Sequence, residues 1–426
     1  MKRERYKTIL VLALPIMGGM VSQNVMNLVD TAMVGTLGDA ALAAVGMSSF
    51  ANFMAQAFLM GLSSGVQAMA ARRLGEAATD RMAVPLNGGL LVALVIGIPL
   101  SILLFTYAPL LYPYLNDDPQ VIAEGVPYLR ARLCSITAVG MNFAFRGYFN
   151  GINLSKIYLR SLLIMHAFNL VLSYGLIFGE FGMPQLGATG AGVGSAIATY
   201  IGTIVYIVMA LRVARGAGFL RGLPDRETMK KMLQLSVPSG FRQLFFAGGL
   251  TALFWIVGRV STTALAAANV VINLMLVGIL PGIGLGLAAA SLVGQSLGRG
   301  EPDDAKQWGW DVVKVGVLGM GVVGLPMLLV PDLLLGVFIH DAGTLAEARV
   351  PLMIIGGVIA VDAVGLVLQN ALLGAGDSTR VMVLVVGLQW LVFLPAAYLV
   401  GPVWGYGLVG IWVAQAIYRA IQASMF

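Results

Sequence analysis

Residues 10–35 read LVLALPIMGGMVSQNVMNLVDTAMVG, and this stretch decides the fold. Apolar residues dominate from Ile9 to Val34, about the length needed to cross ~30 Å of hydrocarbon as a helix. Gln23, Asn27 and Asp30 interrupt them at i, i+4 and i+7, a spacing that puts all three on one helix face. Pro15 lies inside the segment and lacks a backbone donor, so the helix is expected to bend near it. A carboxylate at membrane depth costs at least ~2.5–3.5 kcal/mol and marks a candidate functional site. The plainer alternative is a hydrogen-bonding role for Asp30 inside a helix bundle.

The whole chain has the same character. It has 426 residues, of which 58% are hydrophobic and only 11% charged. Its mean hydropathy is +0.88. A soluble domain carries about 25% charged residues, so this composition excludes a soluble globular protein. The sequence predicts an all-α, polytopic membrane protein. The net charge of +6 calls for no nucleic-acid partner, because loop charges account for it. Cys134 is the single cysteine, and His166 and His340 are the two histidines, too few for a disulfide framework or a histidine metal cluster. No phosphate-binding GxxxxGK[ST] occurs; Gly298–Arg299–Gly300–Glu301 lacks its ending. No enzymatic constellation is evident, and no cofactor is expected.

Polar punctuation yields twelve expected spans: 10–34, 43–72, 84–111, 121–148, 157–178, 188–212, 231–257, 265–297, 309–337, 347–373, 380–400 and 405–425. With the N-terminus in the cytoplasm, most Lys and Arg residues fall on cytoplasmic segments, Arg419 among them. Arg259 and Arg349 fall clearly on the other side, where acids such as Asp117, Asp118 and Asp341 gather. Both termini are therefore expected inside, in a bacterial inner membrane. Residues 213–230, VARGAGFLRGLPDRETMK, read as a cytoplasmic linker between an N-terminal lobe, 1–212, and a C-terminal lobe, 231–426.

The two lobes resemble each other at one shift. Pro15 matches Pro238, and 238 − 15 = 223. Gly35 matches Gly258, Ala41–Ala44 matches Ala264–Ala267, Gly75 matches Gly298 and Gly151 matches Gly374 at the same offset. Six spans per lobe make the repeat parallel, the geometry of an alternating-access transporter. Asp30 falls opposite Leu253, so the acid is no part of the shared scaffold.

Other spans carry polar faces. Asn52, Gln56, Ser63 and Gln67 share one face of the second span, and His166, Asn169 and Ser173 one face of the fifth. Asn269 and Asn273 lie in the eighth, and Asp362 and Gln369 in the tenth. Gln23, Asn27, Asn52, Gln56 and Ser173 are candidate substrate-cavity residues, and Asp362 is the second central carboxylate. His166 reads as structural, Asp311 and Lys314 as a local pair, and Arg242 as a snorkelling residue at the start of span seven. With no nucleotide site, transport energy is expected from an ion gradient. A carboxylate at membrane depth suits exchange of H⁺ or Na⁺, since a bound cation relieves the cost of burying it.

Pro15 through Gly46, PIMGGMVSQNVMNLVDTAMVGTLGDAALAAVG, resembles the opening of the MATE (multidrug and toxic compound extrusion) family. So do Leu62–Gly75, Arg146–Gly147…Gly151, Leu176–Gly179 and Gly374–Asp377, and together they extend the resemblance over essentially the whole chain. The resemblance implies two six-helix lobes in a V shape, working as a monomer, and export of cationic amphipathic small molecules against H⁺ or Na⁺. It implies ion or proton coupling at Asp30, a bend at Pro15, and cation-site roles for Asn169, Thr199 and Asp362, with Na⁺ possible at Asp30, Asn169 and Thr199. Two positions depart from the family pattern. Ser173 stands where an acid often follows the fifth-helix asparagine, and Phe246 or Ala247 where a seventh-helix Glu is found. Half of each acid pair is thus missing, which favours H⁺ over Na⁺. The alternative from the wider superfamily is a flippase for lipid-linked oligosaccharides or precursors.

Overall fold

In the computed structural model of the chain, which describes residues 3–426, α1 is a single 33-residue helix, Arg3–Gly35, with Pro15 inside it. The described chain is all-helical, with no strand. After α1 come α2 (Asp39–Ala57), α3 (Gly61–Gly75), α4 (Val84–Leu111), α5 (Pro119–Leu133), α6 (Ile136–Gly151), α7 (Ser155–Phe178) and α8 (Ala188–Val213). Then follow α9 (Arg226–Gly258), α10 (Thr262–Gly278), α11 (Leu280–Gly298), α12 (Pro302–Leu329), α13 (Pro331–Gly336) and α14 (Ala342–Ala375). The last are α15 (Ser378–Gly387), α16 (Leu394–Tyr398) and α17 (Gly407–Met425), with π-helical stretches Leu388–Phe393 and Leu399–Val403 on either side of α16.

Ten helical stretches among the described residues are long and apolar enough to cross a membrane. They coincide with ten of the twelve expected spans. The other two expected spans are α5 with α6, and α17. The first of these is broken at Cys134–Ser135, where the Ser135 hydroxyl bonds the Arg132 carbonyl at 2.8 Å and competes with the helix ladder. The second carries Gln415, Arg419 and Gln422 on one face. Two further expected spans are interrupted. A 3₁₀ turn, Phe58–Met60, separates α2 from α3. Residue Ile279 separates α10 from α11, because Pro281 in the first turn of α11 has no N–H for the ladder of α10.

The chain forms two compact units. One is Gly18–Gly240; the other is the described residues through Met17 together with Phe241–Phe426. The expected boundaries at 212 and 231 differ from these, because residues 213–230 are docked rather than free. Asn87 on α4 is buried, and its amide donates to the Gly218 and Gly222 carbonyls at 2.9 Å each. Its oxygen accepts from Leu220 N–H at 3.0 Å, and Phe219 is buried against Phe145. The first part of α9 follows the linker into this unit. A Cβ at Gly61 or Gly65 would strike Ser236, so α3 and α9 touch at glycine distance.

The other unit takes the first part of α1 in a matching way. Ile9, Leu12 and Ala13 pack with Leu285, Ala289 and Val312. Arg5 donates to Asp304 and forms an ion pair with Asp311, at 2.7 Å each, and stacks 3.8 Å from the Trp308 ring centroid. Asp311 also meets Lys314 at 3.7 Å, the expected pair, but its closer partner is Arg5. Each unit boundary falls two residues beyond a proline, Pro15 or Pro238. At such a position the helix lacks one i→i−4 hydrogen bond and is weakest along its length.

Helices α1 and α9 begin and end at one shift, 226 − 3 = 223 and 258 − 35 = 223. Close contacts recur at the same shift. A Cβ on Gly151 would meet Gln67, and one on Gly374 would meet Ala290; one on Gly147 would meet Ser63, and Asn370 meets the corresponding Gly286.

Candidate functional site

Asp30 sits near the end of α1, half-buried, and is held by one residue of α7. The Asn169 amide donates to both carboxylate oxygens, at 3.2 Å to Oδ1 and 3.0 Å to Oδ2. Asn169 is buried, and its own oxygen accepts from the Ser173 hydroxyl at 3.2 Å. That bond turns the NH₂ group toward Asp30. Ser173, one turn further along α7, is itself buried. The local fold explains the alignment. Asn169 and Ser173 are four apart on an uninterrupted helix that ends at Gly179, whose φ of 77° is left-handed and favours glycine. No ion pair holds Asp30 among the described residues; its hydrogen-bond partner is the Asn169 amide, and the Arg132 guanidinium acts on it from beyond contact.

A second polar group lies on the same two helices. His166 is buried; its Nδ1 lies 2.7 Å from the Ser22 hydroxyl, and its Nε2 lies 3.3 Å from Gln23 Oε1. Gln23 in turn donates from Nε2 to Asn27 Oδ1 at 3.2 Å. The expected Gln23–Asn27–Asp30 face of α1 is therefore met by a His166–Asn169–Ser173 face of α7. Neither Ser22 nor the contact of His166 with α1 was expected from the sequence.

The other expected residues lie apart from this line. Thr199 on α8 donates its hydroxyl to the Ser195 carbonyl at 2.7 Å, and among the described residues it makes no bond to Asp30 or Asn169. Its carbonyl accepts from Asn142 at 3.3 Å and from Thr203 at 3.1 Å, which ties α6 to α8. Asn52 is buried and Gln56 half-buried on α2, and neither bonds Asp30 or Asn169. Pro15 occupies the interior of α1 beside the unit boundary.

Asp362 belongs to the other unit and is buried in α14. Its Oδ1 lies 3.6 Å from Nε of Arg419 on α17, also well covered. The sequence reading puts Arg419 on or near a cytoplasmic segment; the structure adds that it faces a carboxylate. Its NH1 also donates to Gln422 at 3.4 Å. The spacing of Gln415, Arg419 and Gln422 repeats that of Gln23, Asn27 and Asp30, and was the readable sign of a polar face. Arg242, expected at the start of its span, lies mid-helix in α9, four residues past Pro238. Its buried Nε has no hydrogen-bond partner among the described residues.

The chemistry of the first site is that of a single carboxylate between donors. Both its oxygens accept from the Asn169 amide, and no group of residues that could hold a metal ion stands beside it among the described residues. Membrane-length helices with a polar cluster enclosed among them define a class, the membrane transporters, rather than a reaction. The profile of the MatE family matches the chain twice, over residues 15–175 and 238–399, and the chain belongs to this family of transporters. Among curated relatives, the "Multidrug resistance protein NorM" of Burkholderia vietnamiensis is 29% identical over 416 residues, covering 94% of this chain and 88% of that protein. The "Probable multidrug resistance protein NorM" of Rhodopseudomonas palustris is 28% identical over 423 residues, covering 97% of this chain and 89% of that one. Among solved structures, a MOP superfamily transporter from Pyrococcus furiosus superposes with a TM-score of 0.90 at 20% identity, covering 99% of this chain and 94% of that one.

Proposed function

We propose that the protein is a multidrug efflux antiporter of the bacterial cytoplasmic membrane, exporting cationic amphipathic compounds in exchange for H⁺ by alternating access. The relatives' names support a multidrug range of substrates, and the double match of the family profile, 238 − 15 = 223 residues apart, supports two six-helix lobes in parallel repeat. The observation that carries the coupling is the Asp30–Asn169–Ser173 chain. Asp30 is an acid without a resident cation, so it alternates between a proton and an organic cation.

The orientation of Asn169 favours H⁺ over Na⁺. A sodium site needs oxygens turned inward, whereas this amide presents hydrogens to Asp30 and keeps its oxygen on Ser173. The Thr199 hydroxyl is likewise committed to its own helix. Asp362 enters the same reading as a carboxylate with a resident guanidinium, and Pro15 as the place where α1 gives way. Both termini are assigned to the cytoplasm from the loop charges, and a monomer suffices.

The test is efflux of a fluorescent organic cation from proteoliposomes under a pH gradient or a Na⁺ gradient imposed separately. Efflux driven by the proton gradient alone is expected. Drive by Na⁺ alone would reassign the ion, and movement of a lipid-linked sugar without either gradient would replace the antiporter with a flippase.

A further inference from the structure

We propose that His166 is a second proton-carrying residue of the Gly18–Gly240 unit, framed by Ser22 and Gln23 so that each ring nitrogen keeps a partner in both its neutral and its charged form; the proposal rests on the antiport reading of Asp30. The frame fixes the tautomer. Gln23 donates from Nε2 to Asn27 Oδ1, which leaves its Oε1 facing the ring. His166 Nε2 therefore carries a hydrogen, and Nδ1 of the neutral ring accepts from the Ser22 hydroxyl 2.7 Å away.

Protonation changes little around the ring. One proton adds to Nδ1, the ring gains one positive charge, and no bond between heavy atoms breaks. Nδ1–H then donates to Ser22 Oγ, because a hydroxyl can turn from donor to acceptor. Nε2–H keeps its bond to Gln23. A backbone carbonyl or an ammonium at the place of Ser22 would suit only one of the two forms. His166 is only 8% exposed, so these two side chains are the partners its nitrogens have in place of water.

The position of the ring gives this switch a purpose. His166 and Asn169 lie one turn apart on α7, and Asn169 holds Asp30. Among the elements packed against this part of α7, α6 brings Arg146 and Tyr148, and α8 brings Tyr200 and Tyr206; none of them bonds the ring. Asp30 is the one acid in residues 18–35 of α1, and α6, α7 and α8 contain none. A proton on His166 and an organic cation at Asp30 repel each other across one helical turn. Proton entry at His166 thus helps expel the cation, and cation binding discharges His166.

The experiment measures proton-driven efflux of a fluorescent organic cation across pH in proteoliposomes, together with the protons moved per cation. The wild type is expected to show an inflection below about pH 7 that belongs to the imidazole. His166→Gln is expected to lose that inflection and to move fewer protons per cation; an unchanged profile and ratio would overturn the proposal. Ser22→Ala keeps the imidazole but removes the acceptor of its charged form, so the inflection should move down by about one pH unit. If His166→Gln does not reconstitute, Ser22→Ala decides, and an unmoved inflection counts against the proposal. Asp30→Asn separates the two levels: proton-driven efflux at the wild-type rate sinks the antiport reading itself, whatever His166 does.

Discussion

Asp30 and Asp362 are carboxylates inside long apolar helices, one in each compact unit, and their partners are of opposite kind. Asp30 receives a neutral amide at 3.0 Å. Asp362 receives a guanidinium at 3.6 Å, in a setting where both groups are well covered. The packing around them follows one pattern at a shift of 223, as in the matched contacts of Gly151 and Gly374. The charged groups do not. At that shift Asp30 falls on Leu253 and Asn169 on Val392, while Asp362 falls on Val139 and Arg419 on Ala196. Each unit has added its own polar pair to a common scaffold. A carboxylate supplied with its own cation is braced, and one supplied only with N–H donors is open to exchange. That difference supports the exchange proposed at Asp30.

The sharpest way to break this contrast is to unpair the brace. Asp362→Asn or Arg419→Gln alone leaves a buried charge without its partner, and each should cost about 3–5 kcal/mol of stability. The double variant should regain most of it, which thermal unfolding in detergent would show. Additive losses in the double variant would mean that the two groups do not act as a pair. The common scaffold is tested next. Gly374→Ala drives a methyl into the backbone at Ala290, and Gly151→Ala places one 2.8 Å from the Gln67 carbonyl oxygen. Overpacking of this sort costs about 1–3 kcal/mol, and both variants should suffer it. A loss confined to one of them would show that the two units share less than their matched contacts suggest. Asp30→Asn follows. It should lower gradient-driven efflux by roughly 5- to 150-fold, the range of a coupling free energy of 1–3 kcal/mol, with little change in thermal stability. The contrast fails if it behaves like Asp362→Asn and unfolds the protein instead.

Much of this was legible in the sequence, where local spacing governs. The Gln23–Asn27–Asp30 and His166–Asn169–Ser173 faces follow from the helical period alone. Which of these faces meet does not follow from the period. His166 bonds Ser22 and Gln23 because α7 lies against α1, a tertiary fact with no local signal. Charge counting puts Arg419 on or near a cytoplasmic segment, and a rule that weighs position along the chain gives no sign of its partner, a buried acid on another helix. The Gly-rich segment 213–230 reads as free, yet the amide of Asn87 needs its carbonyls and binds it down. Thr199 matches a family position, but its hydroxyl has a nearer acceptor one turn back, at Ser195.

Ser173 gives the smallest and most discriminating test. Its hydroxyl donates to Asn169 Oδ1 at 3.2 Å and so holds the amide with its hydrogens toward Asp30. That bond is worth about 1 kcal/mol, roughly fivefold in an equilibrium between the two amide orientations. Ser173→Ala removes it and lets the amide turn its oxygen toward the carboxylate, the arrangement a sodium ion prefers. The ratio of Na⁺-driven to H⁺-driven efflux should therefore rise by up to about fivefold. Ser173→Asp supplies the acid that the family often carries at this place, and it should raise the ratio further. Both variants act four residues from Asn169 on the same helix, so neither needs the scaffold to move. If the ratio stays fixed in both, the amide is held by something other than Ser173, and the preference for H⁺ must come from the surroundings of Asp30 itself.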